Sequence, residues 1–230
     1  MRPEPGASET GARLRAMGRE PLVVPLLATV PTGAPMPAGP HDAVVLTSAT
    51  AARLIGAEHR AIRALPVHAI GERTARAARE AGFARVIVGA GGEAAPDGAA
   101  LGRALAPLHR GRTLLYPCAE DRRPGLEASS GEGGARVAAW PLYRAIAIPG
   151  AAERLTDALE GIRPATVLLH SPSAARALGT LGSHALEGVP LACLSAAVAD
   201  AVPREIGGER RVAARPEEAA LLALLDREGR

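Results

Sequence analysis

HDAVVLTSATAARLI, at residues 41–55, decides the fold, because a second copy of this stretch, PATVLLHSPSAARAL, occurs at residues 164–178. In each copy a short apolar run predicts a buried parallel strand, and a hydroxyl residue, Ser48 or Ser171, then predicts the N-terminal cap of a helix. This arrangement leaves backbone N–H groups and hydroxyls at the carboxyl end of a strand, where open α/β sheets bind anionic ligands. The two copies therefore predict two facing anion-binding half-sites.

The similarity between the copies continues well beyond this stretch. Downstream of each copy the chain reads as a proline, a short strand, a turn and an alanine-rich helix, at residues 65–82 and 189–207. A further strand follows in both, and then a last helix, predicted at residues 97–108 and 216–225. The copies are more than about 100 residues apart, whereas solenoid repeats have periods of roughly 20 to 50 residues. The pattern therefore predicts a duplicated α/β domain.

The strands that precede the two copies leave the domain partition open. Residues 21–27 and 136–142 predict equivalent strands, and each is followed by a β-prone connector that ends in proline, at residues 27–32 and 143–149. Either each copy folds alone, or the two-strand N-terminal piece of each copy completes the sheet of the other. In both cases the two connectors are able to pair side by side.

The N-terminal end of the chain differs between the copies. The second copy has an additional strand at residues 113–116, but the first begins where its equivalent would end. Because the first strand of a flavodoxin-like sheet is internal, we expect either that the polypeptide begins upstream of Met1 or that this form is unstable. Ser8 is predicted to cap a helix that runs to Met17 and stops at a left-handed Gly18.

Composition excludes several classes of function. The 27 basic residues are all arginine, so Schiff-base chemistry, pyridoxal phosphate attachment and a Walker A loop, which need lysine, are excluded. A net charge of +3, spread over the chain, and an aromatic content of 2% argue against nucleic-acid binding.

Cysteine and histidine spacings predict neither a disulfide framework nor a metal site. Cys118 and Cys193 are far apart, and the six histidines lack ligand spacing. Neither an apolar run of about 18 residues nor a signal-peptide pattern is present. We therefore expect a cytoplasmic protein with no metal, no cofactor and no membrane partner.

Hydroxyl side chains are the candidate binding groups, because no nucleophile–base–acid pattern and no paired-carboxylate motif is present. Taken singly, each serine or threonine is most simply a helix cap; their recurrence in matched positions of both copies favours a site. Tyr143 is either a half-buried sheet aromatic or a functional group. The candidates are Thr47, Ser48, Thr74, Tyr143, Ser171, Ser173 and Ser195.

Five stretches of the sequence, in order and over nearly the whole chain, resemble one known family. They are RPEPGA, AVVLTSATAA, HAIGERTARAAREAGF, a PLYR that ends at Arg144, and LLHSPSAAR. Together they are similar to uroporphyrinogen-III synthases. The resemblance implies an α/β fold of two flavodoxin-like parallel-sheet domains with swapped connectivity, joined by a two-stranded linker ladder. The chain departs from this pattern in that the first strand of domain 1 is missing from the sequence.

The resemblance also implies domain bounds. Domain 1 would contain residues 1–27 and 150–230, and domain 2 would contain residues 33–141. The interdomain linkers would be residues 28–32 and 142–149.

The activity implied by the resemblance is the cyclisation of hydroxymethylbilane, a linear tetrapyrrole, to uroporphyrinogen III. A hydroxyl group leaves as water, and the ring closes through a spiro intermediate with the terminal pyrrole inverted. The implied enzyme is a monomeric, cofactor-independent hydro-lyase of tetrapyrrole and haem biosynthesis. Family members bind the carboxylates of this substrate in the interdomain cleft through backbone N–H groups and hydroxyls at helix starts.

The resemblance also implies roles for one tyrosine and several hydroxyl residues, which are carried over from the family by position. Tyr143 would be closest to the chemistry, where it would assist departure of the hydroxyl as water. The acetate and propionate groups would contact Thr47, Ser48, Thr74 and Ser171. The chain departs from the family pattern at Ser195 and Val198, where Gly and Thr are usual, and His170 stands where the first copy has Thr47.

One other function fits the pattern, and a second does not. A non-catalytic two-domain protein could bind a small polyanionic ligand in the same cleft. A receiver-like signalling pair would need an aspartate at a strand end, but Asp42 precedes its strand.

Overall fold

A computed structural model describes residues 3–95, 97–161, 166–180, 186–206 and 208–225. The first two residues of the second repeated stretch, 164 and 165, therefore lie outside the described residues. The strands are β1 (Leu27–Pro31), β2 (Ala43–Leu46), β3 (Pro66–Ala69), β4 (Arg85–Val88), β5 (Thr113–Ala119), β6 (Arg136–Ala147), β7 (Val167–Leu169), β8 (Leu191–Cys193) and β9 (Arg210–Val212). The α-helices are α1 (Gly6–Ala16), α2 (Ala49–Leu54), α3 (Glu72–Glu80), α4 (Gly98–Leu105), α5 (Gly125–Glu132), α6 (Ala151–Leu159), α7 (Pro172–Ala177), α8 (Ala196–Asp200) and α9 (Glu218–Leu222). Short 3-10 helices occur at Ala57–Ala64, Pro107–His109 and Leu178–Thr180.

The chain divides into two compact units. The central unit is Val30–Arg144, and the terminal unit combines Met1–Thr29 with Ala145–Arg230. This division is the swapped partition, in which the N-terminal piece of the chain belongs with its C-terminal part. The domain and linker bounds expected from the sequence stay a prediction.

The central unit has a sheet of the flavodoxin type. Its strand order is β6-β5-β2-β3-β4, with β1 beside β6, and the pairs from β6 to β4 are parallel. β5 and β6 come from the second copy and complete the sheet of the first, in the order 2-1-3-4-5 that doubly wound folds use. The prediction of a parallel α/β fold with swapped connectivity is confirmed.

Alternation along β2 builds a core on each face of this sheet. Val44 and Leu46 point to one face, where they pack with residues of α2 and α3, and Ala43 and Val45 point to the other, where they pack with residues of α4 and α5. All four side chains are fully buried. A continuous apolar run is expected for a strand covered by helices on both faces.

The two connectors form the edge of this sheet. β1 lies within the first connector, and β6 runs without interruption through the predicted strand 136–142 and most of the second connector. Thr32 donates its N–H to the Leu142 carbonyl at 3.1 Å, and Ile148 donates to the Leu26 carbonyl at 3.0 Å. Leu26 is therefore opposite Ile148, and Thr32 is opposite Leu142. Since one strand runs up in number while the other runs down, the two connectors pair in antiparallel fashion.

The predicted strand at residues 21–27 is wrong. Residues 21–25 have no regular structure, and the strand begins only at Leu27. Pro21 and Pro25 lack the N–H that a ladder requires, and strand pairing starts where β6 supplies a partner. Within the described residues the sheet of the terminal unit is therefore β7-β8-β9, all parallel.

Helices cover both faces of the terminal sheet. One core cluster contains Leu155 of α6, Leu169 of β7 and Val198 of α8. The other contains Leu14 of α1 and Leu221 of α9. No helix in the described ranges is long and apolar enough to cross a membrane.

The predicted cap at Ser8 is also wrong. Helix α1 begins at Gly6, so Ser8 already lies inside it, and the Ser8 hydroxyl donates to the Glu4 carboxylate at 2.9 Å. Gly18 does adopt the left-handed conformation predicted for it, with φ of 72°.

A buried histidine pair lies in the central unit. The Nε2 atoms of His68 in β3 and His109 are 3.1 Å apart, and Nδ1 of His68 is 3.0 Å from the Gly89 carbonyl oxygen. Because a carbonyl only accepts, His68 carries its proton on Nδ1 and His109 donates from Nε2. Nδ1 of His109 is buried and has no hydrogen-bond partner among the described residues. Protonation of this neutral pair therefore places an N–H where no acceptor is available.

Mild acid is expected to destabilise the protein through this pair. Burial lowers the pKa of both imidazoles below 6.5; for His109 the charges of His68 and Arg112 lower the pKa further, while Asp42 opposes them. The unfolded chain then takes up protons at higher pH than the folded chain. The contribution of the neutral pair to the free energy of unfolding is complete above about pH 6.5. It decreases as the pH falls below that value, and it is lost once the pH has passed the folded-state pKa.

Chemical unfolding between about pH 8 and pH 5 measures this dependence. Replacing both residues, His68→Leu with His109→Leu, should make the loss of stability below about pH 6.5 shallower. Between about pH 7.5 and 8.5 the free energy of unfolding should change equally with pH in the wild-type protein and the double variant, because both imidazoles are neutral there. An unchanged acid slope in the double variant would contradict the role of the pair.

Candidate active site

Two hydroxyl residues follow β2 directly. Ser48 is the N-cap of α2, and its extended backbone (φ −145°, ψ 132°) lets Oγ accept the Thr50 N–H at 3.1 Å. Thr47 precedes it, and both residues are half-buried. The strand, turn and cap predicted from the repeated stretch are therefore present in the central unit.

Tyr143 reaches this turn from β6. The ladder between β5 and β6 shifts register between Cys118 and Ala119, so that Ala119 lies opposite Tyr143. The Tyr143 hydroxyl donates to Ser48 Oγ at 3.1 Å. Burial raises the pKa of Tyr143, while the hydrogen bond with Ser48 lowers it. At neutral pH the phenol therefore keeps its proton and is a hydrogen-bond donor.

Tyr116 is a functional candidate that sequence reasoning missed. It lies in β5, is only 5% exposed, and its hydroxyl is 3.0 Å from Thr47 Oγ1. Burial raises the pKa of Tyr116 to about 12. A signal was available, because a tyrosine in a largely apolar buried strand needs a partner for its hydroxyl.

Thr74 lies in the first turn of α3, after the end of β3. Its side chain is buried, and its N–H is bonded to the Gly71 carbonyl at 3.1 Å. Within the described residues no hydrogen bond joins Thr74 to Thr47 or Ser48, so the structure does not bring Thr74 into the cluster formed by Thr47, Ser48, Tyr116 and Tyr143.

The terminal unit repeats the cap at the end of β7. Ser171 is the N-cap of α7, and its Oγ accepts the Ala174 N–H at 3.1 Å. Ser173 Oγ accepts from Arg176 at 3.3 Å. The repeated stretch therefore places a serine N-cap after the strand in both copies.

The turn after β8 differs from the other two. Ser195 is the N-cap of α8, but its side chain makes no capping hydrogen bond. Val198 is 2% exposed and packs in the core instead of offering a hydroxyl. The turn therefore keeps one half-buried hydroxyl, that of Ser195.

His170, which stands where the first copy has Thr47, lies beside a carboxylate. Its Nε2 is 3.8 Å from Glu218 Oε1, and Arg13 donates to Glu218 Oε2 at 2.6 Å. Thr10 donates to the same carboxylate. The terminal unit thus places an ion-pair cluster, in place of a threonine hydroxyl, next to Ser171.

Two arginines of the central unit are engaged with carboxylates. Arg122 donates to Glu127 at 2.8 Å, and Arg144 lies 3.9 Å from Glu120. Arg122 lowers the pKa of Tyr116 and Cys118, although burial has the larger, opposite effect on both. Glu127 raises the pKa of the same two groups, so an ion pair, and not a lone positive charge, stands near the end of β5.

The arrangement suits binding and hydrogen-bond donation more than acid–base catalysis with a strong base. Its polar groups around Thr47 are hydroxyls with protons to donate, and these match the acceptor oxygens of carboxylates. No group of three or more His, Cys, Asp or Glu side chains able to hold a metal ion occurs in the part of the chain that the structure describes.

Solved structures share the fold. The uroporphyrinogen-III synthetase of Helicobacter pylori aligns with a TM-score of 0.67 at 17% identity, over 91% of this chain and 93% of that one. A mutant uroporphyrinogen III synthase of Thermus thermophilus aligns with a TM-score of 0.52 at 20% identity, over 96% and 94% of the two chains. A search of curated proteins found no match.

Membership of a family follows from the sequence itself. The model of the family described as HEM4, uroporphyrinogen-III synthase HemD, matches residues 8–223. This match covers both units and every candidate residue named above. The chain belongs to the uroporphyrinogen-III synthase family, whose members are cyclising enzymes of tetrapyrrole synthesis.

Proposed function

We propose that this chain converts hydroxymethylbilane to uroporphyrinogen III as a cofactor-independent hydro-lyase. In the reaction the bond between the hydroxymethyl carbon and its oxygen breaks, and the oxygen takes up a proton and leaves as water. The hydroxymethyl carbon bonds to the substituted α-carbon of the terminal pyrrole, which gives the spiro intermediate, and the bond from that α-carbon to its original methylene then breaks. The methylene bonds to the free α-carbon of the same pyrrole, and this carbon loses its proton. The terminal pyrrole is inverted in the product. The family match over residues 8–223 is the observation that carries the proposal.

Tyr143 is the proposed proton donor to the departing hydroxyl. Three observations support this role: its hydroxyl lies at the turn after β2, the residue is only half-buried, and burial keeps the phenol protonated. In the structure the hydroxyl donates to Ser48. We propose that this hydrogen bond is exchanged for one to the leaving group when substrate binds.

Hydroxyls and backbone N–H groups after the strands are the proposed carboxylate contacts. The caps at Ser48 and Ser171 support this, because each is half-buried and lies beside a helix start. The proposed substrate contacts are Thr47, Ser48, Thr74, Ser171, Ser173 and Ser195.

An isomer assay tests the proposed function. Freshly generated hydroxymethylbilane is added to the purified chain, and the type I and type III uroporphyrinogens are separated. Uncatalysed closure forms the type I isomer, so we expect type III to exceed type I only with the active chain. A heat-denatured sample of the same chain is the matched control. Type I alone at high protein concentration would favour a non-catalytic polyanion-binding protein instead.

We also propose that the enzyme acts as a monomer in the cytoplasm. Both cysteines, Cys118 and Cys193, are free and buried, which is compatible with a reducing compartment. Sedimentation velocity at the assay concentration gives the mass of the species in solution and tests whether the chain is a monomer.

A further inference from the structure

Two tyrosines on neighbouring strands reach two consecutive residues after β2. Tyr116 of β5 contacts Thr47, and Tyr143 of β6 contacts Ser48. Tyr116 packs in the core cluster on the α4–α5 face of the sheet, whereas Tyr143 packs against the cluster on the α2–α3 face. The proposed function uses Tyr143 but assigns no task to Tyr116.

The surroundings of Tyr116 determine which oxygen donates in the contact with Thr47. Among the described residues the Tyr116 hydroxyl has no second hydrogen bond, and the side chain is almost fully buried. A buried O–H without an acceptor is destabilising. Burial also keeps the phenol protonated, because it raises the pKa to about 12. Tyr116 therefore donates, and Thr47 Oγ1 accepts.

Thr47 is left with its own proton to donate. Its Oγ1 accepts from Tyr116, and the residue is only half-buried, so part of it is exposed. A hydroxyl can otherwise present either a proton or a lone pair to a ligand. A carboxylate accepts hydrogen bonds and cannot donate them. A hydroxyl that is already oriented as a donor binds a carboxylate at a lower entropic cost.

We propose that Tyr116 is a positioning residue that orients the Thr47 hydroxyl as a hydrogen-bond donor to a carboxylate of the tetrapyrrole substrate. This inference rests on the proposed function for its ligand. Tyr116 itself does not contact the substrate. Its effect is on binding and passes through Thr47.

Tyr116→Phe, made in three backgrounds, tests the proposal. In the wild-type chain the variant should raise KM for hydroxymethylbilane about 3- to 10-fold, the effect of one hydrogen bond, with kcat within about twofold. In Thr47→Ser, which keeps a hydroxyl, the same rise is expected. In Thr47→Val, which has no hydroxyl to orient, Tyr116→Phe should cause no further rise.

Equilibrium binding of uroporphyrin, an air-stable tetrapyrrole with the same class of carboxylates, is the second measurement. Fluorescence titration should show the same pattern in Kd across the three backgrounds, whether or not the chain turns over substrate. Failure of the isomer assay with this pattern intact would therefore contradict the proposed function alone. Equal changes in all three backgrounds, a fall in kcat with unchanged KM, or unchanged Kd would overturn the role of Tyr116. Thermal unfolding of each variant checks that the fold is retained.

Discussion

Tyr143→Phe is expected to lower kcat for type III product about 10-fold. One general-acid contact contributes about 10² or more when proton transfer limits the reaction. Departure of a hydroxyl from a pyrrole-activated carbon is already easy, so we expect a smaller loss. The phenyl ring keeps its packing against the core cluster on the α2–α3 face, which contains Trp140. The melting temperature should therefore change little.

Tyr116→Phe is the matched control for this variant. It removes the same hydroxyl from a tyrosine of the neighbouring strand, but it is expected to change KM and leave kcat nearly unaltered. A fall in kcat in Tyr143→Phe but not in Tyr116→Phe would support a position of the Tyr143 hydroxyl beside the leaving group. Unchanged turnover with unchanged stability would remove Tyr143 from the site.

Trp140→Ala is expected to lower the free energy of unfolding by about 3–5 kcal/mol. The side chain is 1% exposed, its indole N–H donates to the Ala34 carbonyl at 2.8 Å, and its ring meets that of His59 edge-on at 4.7 Å. Alanine would leave a large cavity in the core and an unbonded carbonyl on the segment that follows β1. Marginal stability makes such a loss a large fraction of the total.

Denaturant unfolding followed by circular dichroism measures this change, because Trp140 is the only tryptophan and its fluorescence is lost in the variant. Trp140→Phe is the control, because it keeps an aromatic ring but loses the N–H. We expect it to lower the free energy of unfolding by about 1–2 kcal/mol. A loss below about 1 kcal/mol for Trp140→Ala would show that the site collapses without a cavity.

The caps show how much of the site the sequence predicts. Ser48 and Ser171 cap their helices as expected from the pattern, because a cap depends on residues within one turn of it. Ser8 and Ser195 fit the same pattern and make no such cap. A carboxylate at Glu4 engages Ser8 instead, which shows that even a local choice depends on the neighbours that are available.

The contacts between strands could not be predicted from the pattern. Tyr116 and Thr47 are 69 residues apart in sequence, and Tyr143 and Ser48 are 95 apart. Both contacts depend on the strand order, and that of Tyr143 also on a register shift between Cys118 and Ala119. A shift of one residue turns side chains to the other face of a sheet, and no feature of the pattern marks where such a shift occurs.

By itself the sequence determined the duplicated strand–cap–helix units, the parallel α/β class and the family, because apolar periodicity, helix caps and family motifs are local properties of the chain. Only the tertiary structure decided which copy completes which sheet. It also decided that residues 21–25 form no strand and that two tyrosines meet the turn after β2. The physical reason is that a strand exists only where a partner supplies its hydrogen bonds, and partners distant in sequence are chosen by the packing of the whole fold.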